Sequence, residues 1–150
     1  GKPTETFQSH AMLDGIEKED ESRRIYAMIN EVEVEQVGII YQNEERKILA
    51  SPDGLINREY GLELKNVLPK TQVYYLLNSN KLLTEYFVQV QACLFISNFK
   101  RWDLFSYCEG LPPLILRVER DEKYISSLAE ELEKFCYELQ KMIKTLKNLQ

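Results

Sequence analysis

The run Gly61-Leu62-Glu63-Leu64-Lys65 constrains the fold more than any other part of the chain. Successive side chains of a strand point to opposite faces. Leu62 and Leu64 then share one face, and Glu63 and Lys65 the other. A one-residue slip would bury both charges, so the register is fixed with the leucines on a core. Upstream, Ile48 to Ser51 reads as a short strand and Pro52-Asp53-Gly54 as a tight turn closing it. A hairpin-like return from this turn would set Asp53 beside Glu63.

Other elements follow from periodicity. A first, mainly helical segment runs from about Glu5 to Asn30, capped by Thr4 or Thr6. Its apolar residues Phe7, Ala11, Met12 and Ile16 recur at helical spacing and resume at Ile25, Met28 and Ile29. Glu31 to Tyr41 opens with strict alternation, and Val37 to Asn66 reads as a meander of antiparallel strands. A second helix is expected from about Lys81 to Asn98, capped by Asn78 or Ser79, then strands over Arg101–Cys108 and Leu114–Arg120. Asp121 caps a long last helix to about Lys147, with Ile125, Leu128, Leu132, Phe135, Leu139, Met142 and Leu146 on one stripe. The stripe reads as core contact, the alternative being an interface with another chain. The whole describes an α/β fold: a central mixed β-sheet flanked by helices.

Composition narrows the chemistry. Three cysteines far apart, Cys93, Cys108 and Cys136, read as reduced and buried. With His10 the sole histidine and no CxxC, zinc and serine–histidine or cysteine–histidine chemistry have no support. No stretch approaches the roughly 18 unbroken apolar residues of a membrane span, and the first residues lack a signal peptide's apolar region. A net charge of −5 argues against holding nucleic acid by bulk charge. It is compatible with an acidic metal site, whose cations reverse the local sign.

Two carboxylates side by side repel unless a cation lies between them. Hard divalent ions take such oxygen ligands, and magnesium keeps several waters as well. Such ions draw charge from a phosphate and lower the pKa of a water, and an ammonium such as Lys65 could orient that water. From spacing alone, a solvated, salt-bridged strand face stands as the alternative. Ile16, Glu19, Arg23 and Tyr26 fall on one face of the first helix, where Glu19 either faces a polar site or simply pairs with Arg23 in solvent. Tyr86 and Gln89 share a face of the second helix, whereas Gln91 reads as solvated or structural. Lys100, Arg101, Arg117, Arg120 and Lys123 are candidate phosphate contacts.

Four motifs in order resemble the phage lambda exonuclease family, the YqaJ-like viral recombinase nucleases of the PD-(D/E)xK superfamily. They are Gly15-Ile16-Glu17-Lys18-Glu19 through Arg23, Ser51-Pro52-Asp53-Gly54-Leu55 with Gly61 to Lys65, Tyr86 to Gln91, and Val118 to Tyr124. The resemblance implies a restriction-endonuclease-like core and a magnesium-dependent exonuclease, manganese substituting, that degrades double-stranded DNA ends 5′ to 3′ for phage-type recombination. It implies that Asp53, Glu63 and the carbonyl of Leu64 ligate metal, and that Lys65 positions the nucleophilic water. Glu19 and Gln89, with Tyr86 beside it, would complete the site. It further implies a ring-shaped homotrimer, a single-strand annealing protein as partner, and a cytoplasmic setting in a bacterial or phage-infected cell. Asn66-Val67 stands where members often have Cys-Pro. Residues 1–150 are expected to form one nuclease core lacking the family's N-terminal helical segment. A restriction-like or structure-specific endonuclease and a non-catalytic DNA- or protein-binding module are the alternatives.

Overall fold

Helices close on both faces of one four-stranded sheet in the computed structural model, which describes residues 10–148. The elements are α1 (His10–Asn30), β1 (Ile40–Tyr41), β2 (Leu49–Ala50), β3 (Gly54–Ile56), β4 (Tyr60–Asn66), α2 (Pro69–Leu77), α3 (Ser79–Ser97), β5 (Arg101–Tyr107), β6 (Leu114–Glu119) and α4 (Glu122–Lys147). The expected cap at Thr4 or Thr6 and the packing of Phe7, Ala11, Met12 and Ile16 lie outside the described residues and side chains. No described helix is long and apolar enough to cross a membrane.

The sheet order is β3-β4-β5-β6. β3 and β4 form an antiparallel hairpin, β4 and β5 run parallel, and β5 and β6 are antiparallel. The sheet is thus mixed, as expected. The parallel β4–β5 step needs a crossover, which α2 and α3 supply. At the hairpin turn, Asn57 and Arg58 both take positive φ, 51° and 57°, and Glu59 N–H returns to the Ile56 carbonyl at 2.9 Å. Such a primed turn matches the twist of the strands it joins.

The alternation in β4 acts as the sequence requires. Leu62 and Leu64 pack with Tyr26, Ile56 and Phe105 on the α1 side. The opposite face holds Trp102, Leu104, Val90, Leu94 and Ile125. Gly61 lies across from Trp102 in register, and a Cβ there would stand 2.3 Å from the indole ring. Only glycine lets that ring lie flat on the strand.

Several expectations change. The alternating segment after α1 points Val32 and Val34 inward, yet its backbone pairs with the sheet only through an isolated bridge between Glu35 and Leu55. Glu31 takes φ 54°, which breaks extension at the start. The meander splits: β1 and β2 form their own two-stranded sheet. Among the described side chains of α1, the buried ones are Ser22, Arg23 and Tyr26, while Met28 and Ile29 are exposed. Tyr26 takes the inward place because its hydroxyl donates to the buried Asp103 at 2.6 Å. α2 is an additional helix with Pro69 in its first turn. On α4, Asp121 accepts from the Tyr124 N–H at 2.9 Å, as a cap should. The stripe, however, is core only near its start: Ile125 is buried, whereas Phe135, Met142 and Leu146 are at least 60% exposed. The helix outruns the sheet that would cover it.

Candidate active site

β4 carries Glu63 and Lys65 on the face toward α3, and Glu63 is only 5% exposed. A buried carboxylate needs partners, and Glu63 has two. Its Oε1 accepts from Lys65 Nζ at 2.7 Å and from Gln89 Nε2 at 2.6 Å. Gln89 Oε1 in turn accepts from Lys65 Nζ at 3.3 Å. The ammonium also lies 4.3 Å from the centroid of the Tyr86 ring, close enough for a cation–π contact. Tyr86 and Gln89, three residues apart on α3, thus grip the acid–base pair of β4 from one helix face.

Asp53 precedes β3, and its Oδ2 accepts from the Leu64 N–H at 2.7 Å. That bond extends the contact with β4 just before β3 begins. Within a strand a residue's N–H and C=O open on the same edge, so the Leu64 carbonyl faces the side on which Asp53 lies. Burial, and next the charge of Glu63, push the Asp53 carboxyl up to about 6; the Leu64 N–H and Lys65 oppose this, and Glu19 adds to it. Burial, then the charges of Glu63 and Asp53, push the thiol of the buried Cys93 up to about 12. Cys93 lies one turn beyond Gln89 on α3, a spacing that could have signalled its place.

α1 supplies Glu19, whose Oε1 pairs with an Arg23 terminal nitrogen at 2.5 Å. Arg23 is buried, and its Nε donates to the Asp53 carbonyl at 2.9 Å. The pair is therefore not merely a solvated one. Gln91 proves structural: it donates to the Glu119 carbonyl and accepts from the Asp121 N–H. Two candidate phosphate contacts do other work. Arg101 forks onto the buried Asp103 at 2.7 and 2.6 Å. Arg120 donates to the carbonyls of Leu94 and Phe99 and pairs with Glu122. Lys100, Arg117 and Lys123 remain exposed.

The donor set suits a hard divalent cation. Among the described residues, the bonds to Asp53 fall on Oδ2 and those to Glu63 on Oε1, leaving one oxygen of each. Neither is sealed, since Trp102 Nε1 is the one buried side-chain nitrogen or oxygen without a partner there. No group of three or more His, Cys, Asp or Glu that could hold a metal occurs among the described residues.

Comparison with known proteins finds a family and similar solved structures. A family model described as a YqaJ-like viral recombinase domain matches residues 1–100, a span containing Glu19, Asp53, Glu63, Lys65 and Gln89. The crystal structure of an alkaline exonuclease, LHK-Exo, from Laribacter hongkongensis is 28% identical, with a TM-score of 0.82 over 95% of this chain and 75% of that one. LHK-Exo in complex with dAMP is 29% identical, with a TM-score of 0.81 over 97% and 76%. No curated protein matches.

Proposed function

The chain belongs to the YqaJ-like viral recombinase family, and from that premise we propose that it is a magnesium-dependent exonuclease hydrolysing phosphodiester bonds at double-stranded DNA ends, 5′ to 3′. Its fold is that of alkaline exonucleases, and the family and these neighbours support a nuclease. The observation that carries the finer reading is the meeting of Asp53, Glu63, Lys65 and Gln89 at one end of β4.

In this reading Asp53, Glu63 and the Leu64 carbonyl would hold the ion, magnesium or manganese. A bound ion would neutralise charge building on the phosphate and lower the pKa of a water. Lys65 Nζ, steadied by Gln89 and the Tyr86 ring, donates to the attacking water and orients its lone pair toward phosphorus. Glu63 holds the ammonium in place. Glu19 closes the α1 side through water. DNA is the substrate, and Lys100, Arg117 and Lys123 are the remaining candidates for phosphate contacts. The resemblance extends the proposal to one nuclease core over residues 1–150, a homotrimer, a single-strand annealing partner and a cytoplasmic setting.

Linear duplex and covalently closed circular DNA, each with magnesium or with a chelator, test the reading. We expect nucleotides released from linear 5′ ends only when magnesium is present, and no action on the circle. Nicking of the circle would favour an endonuclease. Binding without cleavage of either would favour a non-catalytic module.

A further inference from the structure

Arg23 ties the two acidic contributors from separate elements to each other. Its side chain is 9% exposed and lies one turn beyond Glu19 on α1. Nε donates to the main-chain carbonyl of Asp53 at 2.9 Å, while the terminal nitrogens reach Glu19 Oε1 and Asp20 Oδ1, each at 2.5 Å. Among the described residues this is the one hydrogen bond between α1 and the segment from Ser51 to Gly54. The other end of Asp53, its carboxylate, is fixed by the Leu64 N–H. Asp53 is thus held at the main chain by α1 and at the side chain by β4.

From this we infer that Arg23 is a positioning residue: its guanidinium sets where the Asp53 and Glu19 carboxylates stand relative to each other. An i,i+4 pair in solvent is worth only about 0.3–0.5 kcal/mol, and it would not need a buried guanidinium. Burying the charge is costly, and the third bond, to Asp53, is what the burial secures. A planar fork can meet three acceptors in fixed directions, which an ammonium on a flexible stem cannot reproduce. The inference rests on the nuclease reading for what the two carboxylates do, though not for the contact itself.

The test is Arg23→Lys in the full chain, read three ways. Exchange of the Leu64 amide, whose acceptor is Asp53, should quicken while the amides of β5 keep their protection. Manganese affinity by calorimetry should weaken, and kcat on linear duplex should fall with KM little changed, each by roughly 10–100-fold, the usual loss when a group behind a ligand is removed. Arg120→Lys, which also removes an arginine clip to main-chain carbonyls, should leave manganese affinity unchanged. Unaltered Leu64 exchange and manganese affinity in Arg23→Lys overturn the role while the nuclease reading stands. A wild-type chain that neither binds manganese nor cleaves DNA overturns both. Should the lysine variant not fold, Arg23→Gln takes the same readings; loss of folding in both overturns the role in favour of a purely structural arginine.

Discussion

Asp53 shows how burial and a neighbouring carboxylate act on a single side chain. Its carboxyl is raised from 3.8 to about 6, first by burial and then by Glu63. The metal-free fold therefore favours the protonated acid. That preference holds in full below the unfolded value near 3.8 and is lost as pH rises through about 6. Asp53→Asn removes the charge and keeps an acceptor for the Leu64 N–H. It should stabilise the metal-free protein by roughly 1–2 kcal/mol at pH 7–8, after discounting for partial exposure. The gain should vanish near pH 4, as thermal melts across this range would read. Equal gains at both pH values would mean that the shift has another source. The same variant should lose metal-dependent cleavage. Lys65→Ala should lower cleavage by roughly 10²–10⁴-fold, the usual contribution of one positioned group. Because Glu63 then keeps only Gln89 as partner, about 1–3 kcal/mol of stability should go with it, the cost of a buried acceptor left short. Near-wild-type rates would remove Lys65 from the mechanism.

Among the elements, what was legible in the sequence is what local rules decide. β4 was readable because period-two alternation of leucines against Glu63 and Lys65 leaves one register. The start of α4 was readable because Asp121 caps it without help from distant residues. α2 escaped because its pattern is inverted: Gln72 is buried against Ser106 and Pro112, while Val73, Tyr74 and Leu77 are exposed. Pro69, suited to a first helical turn, was the signal available. The α4 stripe misled because spacing reports which residues share a face and not whether anything lies opposite. Ile125→Ala should therefore cost about 2–4 kcal/mol, as for a buried aliphatic, whereas Leu146→Ala should stay within about 0.5 kcal/mol, as at an uncovered surface. Urea titrations of the two variants check this, and comparable losses would mean that the outer turns are covered. Gly61→Val, forced against the buried Trp102 ring, should lose about 1–3 kcal/mol or more by overpacking. An unchanged midpoint would show that the indole can move aside.

At the scale of the whole molecule, the acidic balance and the site no longer conflict. The net charge is −5, and two arginines that looked available for phosphate, Arg101 and Arg120, are taken up by Asp103 and by main-chain carbonyls. Sequence could nominate Glu19, Asp53, Glu63, Lys65 and Gln89 as candidates and set Asp53 beside Glu63, but not the hydrogen bonds that join Glu63, Lys65 and Gln89, since a strand and a helix distant in the chain meet only through the fold. A bound cation would supply positive charge where the protein has left two carboxylate oxygens open. Anomalous diffraction from a manganese-soaked crystal tests that claim most directly. The account predicts a peak within bonding distance of the Asp53 and Glu63 carboxylates and the Leu64 carbonyl; an ion bound elsewhere, or no ion beside these two acids, would contradict it.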